Sequence, residues 1–92
     1  MVTVRAEPHE DGWVCAVAVD ESGMQTAHRV TVGRSDLERW GAGPDRADVE
    51  DLVCRSFEFL LEREPPTAIL KEFELAIIQR YFAEYDRIIS SR

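Results

Sequence analysis

The stretch SFEFLLEREPPTAILKEFELAIIQRYFAEY, from Ser56 to Tyr85, decides the fold of this chain. It contains all four phenylalanines, both tyrosines and most of the leucines and isoleucines. Large apolar side chains supply most of the free energy of burial, so a chain of 92 residues must place them in its core. We therefore expect the C-terminal half to pack as helices on a sheet formed by the N-terminal half.

The double proline at 65–66 divides this stretch. Before it, apolar residues recur at helical spacing from Val49 to Leu61, after acids at Asp45 and Asp48 that suit a helix start, so we expect a helix over 46–64. The apolar side chains of this helix span an arc of about 220°, which is wider than one sheet face can cover. The helix is therefore expected to pack on a second surface as well as on the sheet. After the prolines, apolar steps of three and four predict a short helix near 68–73 and a longer one near 75–89, and one continuous helix fits equally well.

The N-terminal residues predict three strands. Residues 2–7 alternate apolar and polar, residues 13–19 are apolar throughout, and residues 24–32 follow after the turn at Ser22-Gly23. If Ser22-Gly23 is a two-residue loop, Val17 faces His28 and Cys15 faces Val30. The predicted core face then carries Trp13, Cys15, Val17, Val19, His28, Val30 and Val32. The opposite face carries Val14, Ala16, Ala18, Ala27, Arg29 and Thr31, a small and semi-apolar surface to leave in water.

A capping box at residues 35–38, with Ser35 as N-cap, predicts a further short helix through Trp40. The fold prediction is thus a single α+β domain over residues 1–92. A three-stranded antiparallel β-meander (1–33) is followed by three or four helices (34–92) packed on one face. Leu60, Phe57 and Val17 should be fully buried.

Charge and composition limit the classes of function. The net charge is −7, and both halves are acidic, which disfavours binding to a phosphate backbone. No apolar run approaches the ~20 residues needed to span a bilayer. The first residues carry neither a basic start nor an apolar core of a secretion signal, so we expect a cytoplasmic protein that binds neither nucleic acid nor membranes.

Chemical motifs are missing from the sequence. It has no phosphate-binding glycine loop, no nucleophile elbow and no paired metal-ligand knuckle, so we predict no catalytic residue, no metal site and no cofactor. Cys15 and His28 share the predicted core face, and a nearby imidazole could lower the pKa of a thiol. A buried thiol beside a core histidine is the preferred interpretation.

The C-terminal stretch resembles a signature of small prokaryotic proteins known as conserved hypothetical proteins, of the form LLEREP…ILREFDL…VI.RYFPEY. Residues 60–65, 69–75, 78 and 80–85 match this pattern, whereas Glu74 replaces an aspartate and Ala83 replaces a proline. The resemblance implies no known activity. The order of sheet and helix is also similar to that of HicB-like antitoxins, at the level of fold alone.

Three functional hypotheses follow. The first is a non-catalytic protein–protein interaction module that self-associates as a homodimer, because the wide helix arc and the second sheet face need cover. The candidate interface residues are Val14, Ala16, Ala18, Phe59, Phe82 and Tyr85. The alternative is an antitoxin-like or regulatory partner that binds a basic heteropartner. The third is an enzyme that uses Cys15 and His28.

Overall fold

The computed structural model describes residues 1–90 and shows an α+β fold, a sheet with helices on one face. Its elements, in chain order, are β1 (Val2–His9), β2 (Gly12–Glu21), β3 (Met24–Val32), α1 (Arg34–Trp40), α2 (Arg46–Leu61), a 3-10 turn (Pro66–Ala68), β4 (Glu72–Glu74), α3 (Ile77–Tyr81) and α4 (Tyr85–Ser90). The sheet has the strand order β1-β2-β3-β4, so the expected meander gains a fourth strand.

The antiparallel order of the first three strands and the predicted register of β2 with β3 are confirmed. Glu21 pairs with Met24 across a two-residue loop at Ser22-Gly23. Both loop residues have positive φ, 53° at Ser22 and 81° at Gly23, as a tight hairpin turn requires. Because side chains alternate along a strand, this register fixes which residues reach the core.

The predicted core face is buried apart from the half-buried Trp13, and Val17, Phe57 and Leu60 are buried as expected. Helix α2 packs on the sheet, mainly against β1. It contributes Val49, Leu52, Val53, Phe57, Phe59 and Leu60 to the core. The sheet and one long helix therefore enclose most of the apolar side chains.

The starts and ends of the first two helices differ in part from the expectation. Helix α1 begins at Arg34 with Gly33 as N-cap, so Ser35 is not the cap; Asp36 Oδ2 accepts the backbone N–H of Gly33 at 3.0 Å. Helix α2 begins after Asp45, as expected, and Asp48 accepts the Asp45 N–H at 3.1 Å. It ends at Leu61, not at residue 64, in a turn that precedes the prolines.

The predicted helix over 68–73 is wrong, and so is the continuous helix. Residues 66–68 form a single 3-10 turn, and residues 72–74 add a short parallel strand to the open edge of β3. The backbone of β3 supplies the reason: the Arg29 N–H donates to the Lys71 carbonyl at 2.7 Å, and the Leu75 N–H donates to the Thr31 carbonyl at 2.9 Å. The hydrogen bonds to these edge groups stabilise the strand more than the helical spacing of a few apolar residues would stabilise a helix. The predicted helix over 75–89 is divided into α3 and α4.

Candidate interaction surfaces

The outer face of the sheet carries a strip of small side chains. Ala16 and Ala18 of the central strand and Ala27 of β3 are exposed, and Val14 is half-buried. No helix covers this face in the described residues, because the core residues of all the helices lie on the other side of the sheet. We call this surface the back face.

Charged side chains border the strip in two adjacent rows that run across the strands. The first row is Arg5, Ala16, Arg29 and Glu72, and the second row is Glu7, Val14, Thr31 and Glu74. Arg29 and Glu72 form an exposed ion pair of 4.0 Å within the first row. The sequence had already placed Arg5 and Glu7 on one side of β1 through their alternation, but their alignment with Ala16 and Val14 required the β1–β2 register.

The two edges of the sheet, unlike the back face, are partly covered by other parts of the chain. At β1 the Glu50 carboxylate of α2 accepts the backbone N–H of Ala6 at 2.9 Å. At β3 the short strand β4 pairs with the backbone groups of residues 29–31. Edge strands with unpaired backbone groups invite another chain to add a strand, and both edges are partly protected here.

Three of the candidate interface residues lie at the junction of α2 with the C-terminal segment. Phe59 and Tyr85 are buried and their rings meet edge-on at 5.3 Å, while the half-buried Phe82 packs on Phe59 at 5.7 Å. The second partner surface expected for α2 is therefore provided within the chain. Of the six candidates, Ala16 and Ala18 are exposed and Val14 is half-buried on the back face.

A buried polar group anchors this junction. The Ser56 hydroxyl donates to the Leu52 carbonyl at 2.7 Å and lies 2.7 Å from the Tyr85 hydroxyl. Since the single serine hydrogen is used toward Leu52, the Tyr85 hydroxyl donates to Ser56. Burial raises the pKa of Tyr85 to about 12. The ring of Tyr85 also meets Trp40, whose indole N–H donates to Asp86 at 2.7 Å.

Cys15 and His28 lie on the same sheet face, as expected, but each is in a core environment. Both ring nitrogens of His28 are engaged: Nδ1 lies 2.8 Å from the Leu70 carbonyl, and Nε2 lies 2.9 Å from the Thr26 hydroxyl. A carbonyl only accepts, so Nδ1 carries a proton, and in the neutral ring Nε2 accepts from the Thr26 hydroxyl. Burial raises the pKa of the Cys15 thiol to about 12, and the Glu50 carboxylate adds to the rise. This environment opposes the thiolate that a nucleophile needs.

Residues 1–90 show neither a metal-binding cluster nor a membrane-spanning helix. They contain no group of three or more histidine, cysteine, aspartate or glutamate side chains arranged to hold a metal ion. Among the same residues, none of the helices has the length and apolar character to cross a membrane.

Comparisons with known proteins add no relative: no family model, no curated protein and no solved structure matches this chain. The resemblances noted from the sequence therefore stay predictions.

Proposed function

We propose that this protein is a non-catalytic interaction module that forms a homodimer through the back face of its sheet. The observation that supports this proposal is the strip of exposed small residues along the central strand, at Ala16 and Ala18. Residues 13–19 are apolar throughout, which is typical of a strand that packs on both faces, and small side chains allow a second sheet to approach to the usual separation of ~10 Å. The two edges are each partly protected, so the face is the preferred route of association.

The charges at β1 fit a second copy of the same face. A two-fold axis that runs across the strands, between the two charged rows, brings the first row of one copy over the second row of the other. Arg5 then lies over the second copy's Glu7, and Ala16 lies over its Val14. At β4 the same axis places Glu72 over the second copy's Glu74, and the ion pair of Glu72 with Arg29 offsets part of that repulsion. Each opposed pair occurs twice, as a closed two-fold dimer requires. No ion pair or hydrogen bond joins the side chain of Arg5 or Glu7 to any other group in residues 1–90.

The size of the face sets the strength of the dimer. Strands of 8 to 10 residues, at ~3.3 Å per residue, give a face roughly 30 Å long. Three strands and the short β4, at ~4.8 Å spacing, make it roughly 15–20 Å wide. Such a face lies at the lower end of stable interfaces, which bury about 800 Å² per partner. We therefore expect a dimer that dissociates on dilution.

The test is the solution mass of three proteins, measured by light scattering over a series of micromolar concentrations. The wild-type mass should rise toward twice the 10.5 kDa of one chain as concentration increases. Ala16→Glu should stay at one chain, because the longer charged side chain holds the two faces apart and would lose its water on association. Ala47→Glu is the matched control: it makes the same change at an exposed position of α2, and its mass should follow the wild type. A wild type that remains a monomer, or an equal response to both substitutions, would contradict the proposal.

The second candidate function is that of an acidic partner for a basic protein. The net charge of −7 accelerates encounters with cationic proteins. One pocket, described next, favours this candidate specifically. The enzyme that uses Cys15 and His28 remains the third hypothesis, and the raised thiol pKa weighs against it.

A further inference from the structure

A pocket of about 360 Å³ opens between the end of α2, the segment after the double proline, and α3. Its walls are mainly apolar and include Leu60, Ile69, Leu70, Phe73, Ile78 and Tyr81. Two of these side chains are unusually open for their size, with exposed fractions of 51% for Leu70 and 69% for Tyr81. None of the lining residues belongs to the back face, so this pocket is separate from the proposed dimer interface.

One charged side chain, Glu64, lines the pocket. It is half-buried, and within residues 1–90 no ion pair or hydrogen bond engages its carboxylate. The neighbouring Arg63 is engaged elsewhere: its guanidinium lies 3.6 Å from the centre of the Phe59 ring, and its Nε donates to Glu84 at 3.3 Å. An acid without a cation, beside an open apolar surface, is complementary to a cation attached to an apolar group.

We propose that this pocket binds a short segment of a partner protein in which one large apolar side chain lies next to a lysine or arginine. The apolar side chain would cover Leu70 and Tyr81, and the cation would pair with Glu64. The volume lies near the lower limit of ligand pockets, roughly 300–1,000 Å³, which suits one or two side chains. The net charge of −7 favours the approach of a basic segment.

The test uses three blocked tetrapeptides as probes: Lys-Leu-Phe-Lys, Glu-Leu-Phe-Glu and Lys-Ser-Ser-Lys. Binding is followed by shifts of the backbone amide signals in NMR spectra as each peptide is added up to millimolar concentration. The first peptide should give saturable shifts that cluster at residues 64–82. The second, which carries acids, and the third, which lacks the apolar side chains, should bind far more weakly. This pattern of shifts would show that binding needs both the positive charge and the apolar side chains of the peptide.

Matched variants assign the two contributions. Glu64→Gln should weaken binding of Lys-Leu-Phe-Lys about two- to fivefold, the effect of losing one partly exposed ion pair. Leu70→Ser should weaken it further. Glu58→Gln, the same loss of charge at an exposed position of α2, and Ile88→Ser, a comparable loss of apolar surface, lie outside the pocket and should leave binding unchanged. The proposal is overturned if no peptide gives saturable shifts, if the shifts fall elsewhere, or if Glu64→Gln and Glu58→Gln behave alike. The solution mass of the wild type does not enter this test, so the two proposals can fail separately.

Discussion

The Glu50 carboxylate accepts the backbone N–H of Ala6 at 2.9 Å, which joins the long helix to the edge strand of the sheet. This contact satisfies one of the backbone donors that an edge strand would otherwise offer to another chain. Glu50 also lies close enough to Cys15 to raise the pKa of its thiol. One side chain thus satisfies a donor of the edge strand and adds to the rise that burial gives the pKa of the core thiol, while the back face of the same sheet stays open.

Leu60 tests the phase of α2. It is 3% exposed and lies between the sheet and the C-terminal segment. Leu60→Ala should lower the free energy of unfolding by about 2–5 kcal/mol, the usual cost of removing a buried leucine side chain. Leu61→Ala, at the half-buried neighbouring position, is the control and should cost less. Urea unfolding measures both, and a loss below about 0.5 kcal/mol for Leu60→Ala would contradict its buried position.

The strand register could be predicted from the sequence because a two-residue loop at Ser22-Gly23 fixes every later pair of β2 and β3. The parallel strand at Phe73 could not. Its three residues are too few to show an alternation of apolar and polar side chains. Backbone hydrogen bonds to β3 hold this strand in place, and such bonds leave little trace in the side-chain pattern of the sequence. The spacing of Ile69, Phe73 and Ile77 fits a helix, yet these residues reach the same core from a turn, a strand and a helix.

The same limit applies to the two candidate surfaces. The strip at Ala16 and Ala18 could be predicted because the Ser22-Gly23 loop fixes the register, and that register groups the large side chains of β2 and β3 on the other face. Phe59 and Tyr85 were candidates for an interface because their large rings needed cover, and which element would cover them depends on how α4 folds back on α2. The pocket beside Glu64 was missed for a related reason: it is lined in part by residues 68–70 and 73, for which the sequence predicted a helix and not a turn and a strand.

The hydrogen bond between Ser56 and Tyr85 predicts unequal effects of its two single deletions. Tyr85→Phe leaves the Ser56 hydroxyl donating to Leu52, so it should cost about 1 kcal/mol of unfolding free energy. Ser56→Ala leaves the buried Tyr85 hydroxyl without its partner and should cost more, about 1–3 kcal/mol.

The double variant completes this comparison. Ser56→Ala with Tyr85→Phe removes both polar groups, so its cost should be smaller than the sum of the two single costs. Denaturant unfolding of the four proteins gives the coupling between the two side chains. Equal and additive losses would show that the two hydroxyls do not depend on each other.

Stability should fall at alkaline pH. The thiol of Cys15 and the hydroxyl of Tyr85 have ordinary pKa values of 9.0 and 10.0, and burial raises both to about 12. The folded state therefore keeps two protons that the unfolded chain releases, so their stabilisation is complete below pH 9 and is lost as the pH rises toward 12. Cys15→Ala with Tyr85→Phe should flatten this decline in thermal unfolding. An unchanged slope would contradict the raised pKa values.

The thiol of Cys15 should be inert in the folded protein. In a Cys54→Ala background, a thiol reagent at neutral pH should label Cys15 far more slowly than after denaturation, because the side chain is buried and protonated. Cys54, which is half-buried, should react faster than Cys15 when the reverse variant Cys15→Ala is used. Rapid labelling of folded Cys15 that His28→Ala abolishes would instead support the enzyme hypothesis.

The central claim is that two copies meet through their back faces, and charge reversal tests it most directly. Arg5→Glu and Glu7→Arg should each weaken the dimer, since each places like charges opposite one another in the two-fold arrangement. The double variant Arg5→Glu with Glu7→Arg restores opposite charges and should recover most of the association. Sedimentation equilibrium of the wild type and the three variants, in low and high salt, measures this pattern. Weakening by both single reversals with recovery in the double variant is the expected result; a monomeric wild type, or a double variant no stronger than the single ones, would contradict the account.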